Sequence, residues 1–199
     1  MARSLPPHPL PPSDFRERPI PLKKAARPLF RIHLEAHDPL HFGRSGRNRF
    51  DDPKRAFGVL YASLDSRGAF IETAANRPGH HEISSRWLET REISRLTPSR
   101  PLRLVDLGSS GLARIGADAR LTAGDHGVAQ RWSRAFWAHP GKPDGVYYRA
   151  RHDPSRFSVA LYDRSRKALR VTRLGTLDDP SLKGEIAEIL NHYDFGLLP

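Results

Sequence analysis

The stretch Gly58-Val-Leu-Tyr-Ala-Ser-Leu64 carries no charge and no polar alternation, and it is bounded by glycine on one side and by Asp65-Ser-Arg-Gly68 on the other. A strand that alternates apolar and polar side chains can leave one face in water, whereas a continuous apolar run needs cover on both. This segment therefore predicts an interior strand with packed material above and below it. The residues that follow predict a helix: Asp65 or Ser66 can cap it, and Ala69, Phe70, Thr73 and Ala74 recur at helical spacing. One carboxylate, Glu72, comes directly after the apolar Ala69-Phe-Ile71.

The remaining elements are read in the same way. Leu29 to His33 alternates as a short strand, and Pro101 to Leu107 is another strand candidate. Gly127 to Ala138 predicts an amphipathic helix with Val128, Trp132, Ala135 and Phe136 on one side, stopped by His-Pro-Gly-Lys-Pro. Gly145–Ala150, Phe157–Asp163 and Ala168–Leu174 read as strands, the last two joined by the polar turn Arg164-Ser-Arg-Lys167. Asp179 reads as an N-cap with Pro180 at the first helical position, opening a closing helix through Leu182, Ile186, Leu190 and Tyr193. Without regular β-α alternation, this order favours an α+β domain over a doubly wound sheet.

Eight of the 18 prolines fall in residues 1–28, which lack sustained periodicity. The expected organisation is an extended arm over 1–28, loosely ordered or draped on a neighbour and burying little surface, followed by one domain over 29–199 that ends in the closing helix. No apolar run approaches the ~20 residues that span a bilayer, and the proline-broken N-terminus does not read as a secretory signal. Zero cysteines exclude a disulfide framework and thiolate chemistry, which fits a cytoplasmic location. The 33 Lys and Arg against 22 Asp and Glu give +11, a field that attracts anions; a solvated basic surface would give the same number.

The phosphate-loop, dinucleotide-fold and zincin motifs are all absent, and the ten histidines, including His80-His81, show no three-ligand spacing, so no metal site is expected. Gly108-Ser-Ser-Gly111 lacks nucleophile-elbow spacing and reads as a loop. What remains is a set of polar groups embedded in apolar elements: Arg31 in a strand, Arg47 and Arg49 in Gly46-Arg-Asn-Arg-Phe-Asp-Asp-Pro53, Tyr61 in the buried strand and Glu72 in its helix. An arginine within an apolar strand is costly unless it meets an anion or a carboxylate. Arg31 and Glu72 could simply pair with each other. Alternatively, arginines hold phosphates, Tyr61 stacks on a flat ring and Glu72 works on a sugar; spacing alone does not separate the two.

The succession "LFRIH", "GRNRFDDP", "GVLYASLDSRGAFIETA", "LRLVDLGSSGLARIGADARLTAGDHGVAQRWSRAF", "DGVYYRARHDP" and "FSVALYD" resembles the RES family, the toxin domain of a group of bacterial toxin–antitoxin modules, over about residues 28–165. The resemblance implies mixed, largely antiparallel sheets with flanking helices, similar to the fold of ADP-ribosyltransferase toxins, and degradation of NAD. It assigns catalytic roles to Arg31 and Glu72 and NAD-binding roles to Arg49 and Tyr61, with Arg47 beside them. The serine that helps name the family would fall in a "YRSRHD" stretch; here the position is Ala150, so a hydroxyl that could bond substrate is absent. NAD enters as substrate, and no separate cofactor is implied. The resemblance also implies an antitoxin partner with a DNA-binding helix-turn-helix portion; direct nucleic-acid binding by this chain is not expected.

The implied chemistry accounts for these residue types. Cleaving the nicotinamide–ribose bond builds positive charge on the ribose, as in glycoside hydrolysis, and a carboxylate on the ribose hydroxyls stabilises it. Guanidinium groups engage pyrophosphate oxygens in pairs, and a tyrosine face suits nicotinamide, with its hydroxyl available to place the ring. The acceptor is phosphate or water. Two other classes remain open: a transferase that passes ADP-ribose to a macromolecule, and a non-catalytic basic module whose salt-sensitive DNA binding would survive Glu72→Ala.

Overall fold

The computed structural model describes residues 6–75, 79 and 81–199; the expectations for residues 1–5 and for His80 lie outside the described residues. Strands β1 (Leu22–Ala25), β2 (Leu29–Leu34) and β3 (Val59–Ser63) precede helix α1 (Ser66–Ala74). Then come β4 (Glu82–Ser84), α2 (Ser85–Glu89), β5 (Arg91–Pro98), β6 (Leu102–Asp106), α3 (Gly111–Arg114), α4 (Arg120–Ala123) and α5 (His126–Ala138). The chain closes with β7 (Gly145–Arg149), β8 (Phe157–Tyr162), β9 (Leu169–Thr176), α6 (Lys183–His192) and β10 (Gly196–Leu198).

Eight strands form one sheet in the order β1-β6-β7-β8-β3-β2-β5-β9, antiparallel throughout except for β6 against β7. The α+β expectation holds. The sheet curls: Leu102 and Leu104 from β6 share a buried cluster with Leu29 and Leu96 from β2 and β5, around Leu60 and Leu161 at its centre. On the other face Val59, Val146, Ala160 and Tyr162 pack beneath Trp132 and Phe136 of α5. β3 is thus covered on both sides, Val59 facing α5 and Leu60 the inside of the curl, as its unbroken apolar run demands. A third cluster joins Phe70 and Ile71 of α1 to Ile32, Ile93 and to Ile186 and Ile189 of α6.

Three sequence readings change. The arm buries more than its composition suggests: Phe15 is 3% exposed and sits edge-on to Trp132 and Phe136, the Trp132 indole donates to Pro9 O, and β1 pairs with β6. A proline-rich segment without periodicity can still insert one aromatic into a neighbour's core. Asp179 does not cap α6; its Oδ1 accepts from the amide and hydroxyl of Ser181 at 2.8 and 2.6 Å, a local turn, and α6 begins only after Leu182, without a side-chain cap. The Arg164–Lys167 turn is part of a 3-10 helix, Asp163–Ala168. β5, which pairs along its length with β2 and β9, was not anticipated.

Candidate active site

The sheet is weakest between β2 and β3. They share a single register pair, Phe30 with Ser63, and the edge of β3 is completed instead by the loop residue Gly43, which exchanges two 2.9 Å backbone hydrogen bonds with Val59. Gly58 allows this approach, since a Cβ there would lie 2.7 Å from Phe42 O. A cleft of 560 Å³ opens at the divergence, walled by β2, β3, α1, the loop before Phe50 and the C-terminal end of β7.

Helix α1 presents Glu72 to this cleft. Asp65 caps the helix by accepting from Gly68 N at 2.7 Å, and Ala69, Phe70 and Ile71 anchor it in the core. That leaves Glu72 at the border, where Oε1 accepts from the backbone amides of Arg151 and His152 at 2.8 and 3.0 Å. Among the described residues Oε2 has no protein donor, and no side-chain cation lies within 4 Å of the carboxylate. The expected alternative of an Arg31–Glu72 ion pair is therefore absent.

Arg31 lines the same cleft and donates to His41 O at 2.9 Å. Burial brings its guanidinium down to about 10, against a smaller opposing pull from Asp38. Arg49 is buried and donates to Gly124 O at 2.7 Å; burial first, then the neighbouring Arg151 charge, lower its pKa. Arg151 completes a group of three guanidinium groups that, among the described residues, have no carboxylate within 4 Å, whereas Arg44, also on the wall, is neutralised by Asp163 at 2.7 Å. Histidines aside, three cations and Glu72 leave two net positive charges in the cleft.

The structure brings Arg31, Arg49, Tyr61 and Glu72 together and leaves two sequence candidates out. Arg47 is exposed and contributes no wall; its amide donates to Ser45 Oγ and its carbonyl lies 3.1 Å from His126 Nδ1, so it shapes the loop through its backbone. Ala150 is buried outside the cleft wall, in the loop whose next two amides hold Glu72. The Tyr61 ring faces the cleft, but its hydroxyl is already engaged: it accepts from Phe50 N at 2.9 Å and donates to Asp51 at 3.0 Å. Burial, then the Asp51 charge, raises this phenol well above its ordinary range. The hydroxyl holds the arginine loop rather than standing free to place a ligand ring.

Sequence reasoning missed Arg151, Tyr148 and the paired hydroxyls of Ser63 and Ser158, 2.9 Å apart on the cleft wall. Arg151 and Tyr148 both lie within "YRARHD", residues 148–153, so the motif itself was the available signal, while the Ser63–Ser158 pair depends on a register that only the fold supplies.

Comparison with known proteins gives a consistent picture. The model of the RES domain family matches residues 28–182. "Probable toxin y4kH" of Sinorhizobium fredii is 36% identical over 128 residues, 63% of this chain and 96% of that protein. A chain of the M. tuberculosis MbcT–MbcA toxin–antitoxin complex superposes with a TM-score of 0.61 at 17% identity, covering 84% of this chain and 92% of its own. At that identity the likeness shows a shared fold.

Proposed function

The chain belongs to the RES domain family, and on that premise we propose that it is the toxin of a toxin–antitoxin module and an enzyme that cleaves the nicotinamide–ribose bond of NAD, with phosphate or water as acceptor. The observation that carries this reading is the group Arg31, Arg49 and Arg151 beside Glu72: Arg31 is half-buried, Arg49 buried and Arg151 exposed, and among the described residues none of the three has a carboxylate partner. Burying a guanidinium without a counter-charge is costly, and the two net positive charges match the pyrophosphate of a dinucleotide.

In this reading the arginines bind the pyrophosphate and orient the dinucleotide. Glu72, fixed through Oε1 by two amides, turns Oε2 to the nicotinamide ribose. As the bond to nicotinamide lengthens, the electron pair leaves with the nicotinamide nitrogen and positive charge spreads over C1 and the ring oxygen, where the carboxylate stabilises it. The Tyr61 ring offers the leaving group a flat surface. A phosphate oxygen then bonds to C1, or water does so and releases its proton to solvent. An antitoxin that covers the cleft is the expected partner, and both act in the cytoplasm.

The deciding experiment is release of free nicotinamide from NAD by purified protein, with the products resolved with and without inorganic phosphate. A phosphorylated ADP-ribose assigns phosphate as acceptor and ADP-ribose assigns water. Label appearing on a macromolecule assigns the transferase reading, and NAD left intact removes the enzyme reading.

A further inference from the structure

Three tyrosines belong to the core beneath α5: Tyr61, Tyr148 and Tyr162. Tyr61 is held by Phe50 N and Asp51, and Tyr162 donates to Ser133 O at 3.0 Å. Tyr148 differs. Its residue is 6% exposed and its ring packs 5.0 Å from Phe50, yet among the described residues no protein group engages its hydroxyl. The hydroxyl is not sealed in the core, since the buried side-chain polar atoms without a partner among the described residues are Trp137 Nε1 and Arg156 Nε; a phenol hydroxyl that no protein group uses and that water can reach is available to a ligand. Tyr148 also lines the cleft, close enough to Glu72 and Arg49 to feel both charges.

From this we infer that Tyr148 is a substrate-binding residue, donating its hydroxyl hydrogen to a ribose hydroxyl oxygen whose own hydrogen is accepted by Glu72. The contact comes from the cleft wall and not from position 150, and the inference rests on the NAD-cleavage reading above. A ribose hydroxyl both donates and accepts, so one sugar oxygen links the two residues, and each hydrogen bond polarises the other. Burial first, then the Glu72 charge, raise the phenol above its ordinary range, which keeps it a donor rather than a phenolate. Ala150 is buried and outside the wall, so a hydroxyl added there has no direct line to the ligand.

The test is Tyr148→Phe, assayed for nicotinamide release with wild type and Ala150→Ser in parallel. Phenylalanine keeps the ring in the core and removes a hydroxyl that no protein group uses, so the melting temperature should not fall. The expected result is a loss of about tenfold in kcat/KM, one hydrogen bond's worth, with Ala150→Ser within about twofold of wild type. Active wild type with Tyr148→Phe at full kcat/KM overturns this inference alone, as does a gain of about tenfold from Ala150→Ser. Wild type that releases no nicotinamide overturns the NAD-cleavage reading, and the inference with it.

Discussion

At the Gly145 end of β7, Lys24, Arg100, Arg103 and Lys142 surround Asp144; at its Arg149 end, Arg31, Arg49 and Arg151 surround Glu72. In the first hollow the carboxylate is buried and the cations reach water: Asp144 accepts two 2.8 Å bonds from Arg100 and one from the Arg103 amide, while the Arg100 side chain is 50% exposed. In the second Arg31 and Arg49 are withdrawn from water and bonded to carbonyls, Arg151 is exposed, and the carboxylate is held by amides. With the Arg44–Asp163 pair set aside, the first hollow is by count the more basic, four cations to one carboxylate against three to one. The difference is pairing: Asp144 holds Arg100 at 2.8 Å, while among the described residues Glu72 pairs with no cation, and a net charge of +11 does not distinguish them.

The largest expected effect bears on the arm that walls the first hollow, where Lys24 on β1 faces Arg103 on β6. Phe15→Ala empties a site among Trp132, Phe136 and His139 and should cost about 3–5 kcal/mol in chemical denaturation. Molecules that remain folded should cleave NAD at the wild-type rate. A loss of under about 1 kcal/mol would return the arm to the loosely draped segment its composition suggests.

Glu72→Gln should act in the opposite sense, lowering kcat by about 10²–10³ with little change in melting temperature. The amide oxygen can still accept from Arg151 and His152, so the tether survives while the charge is lost. Glu72→Ala removes both and should lower stability as well. Equal stability losses in Gln and Ala variants would point to a structural carboxylate.

How much of this was legible in sequence follows from where each partner lies along the chain. The Gly58–Leu64 strand and the Asp65-capped helix are written in neighbouring residues, and both formed as read. β5 was not seen because its buried polar residues make sense only beside distant strands: Glu92 pairs with Arg173, and Ser94 bonds His33. Glu72 and Arg31 were picked out as embedded polar groups, but their partners, amides at 151–152 and a carbonyl at 41, carry no side-chain signature. The Tyr61 hydroxyl was assigned to a ligand because the nearby Asp51 was not recognised as its acceptor.

Exchanging arginine for lysine separates the two hollows more finely. Arg31→Lys keeps a charge but loses the forked geometry that pairs with phosphate, and should raise KM for NAD by about tenfold with kcat little changed. Arg100→Lys should leave both constants alone and cost under about 1 kcal/mol, since its pair with Asp144 is half in water. Equal kinetic effects would erase the distinction between them.

The smallest effect is acid sensitivity in the first hollow. Burial pushes the Asp144 carboxyl up, but the hydrogen bond from Arg100, the Arg103 amide and both nearby charges together hold it below its ordinary value of 3.8. A carboxyl depressed in the folded state stabilises the protein above its unfolded pKa, and that contribution is lost as pH falls through the folded one. Wild type should therefore exceed Asp144→Asn at neutral pH by no more than about 1 kcal/mol, screening by water at Arg100 setting the limit. The gap should narrow as pH falls below 3.8 and through the lower folded-state value, where the carboxyl protonates. Because each measurement is a difference between two chains, the other acids of the surface cancel. NAD cleavage at neutral pH should be the same in both. A gap that persists unchanged in acid would mean that Asp144 acts through shape and hydrogen bonding rather than charge, and charge pairing would no longer separate this hollow from the cleft.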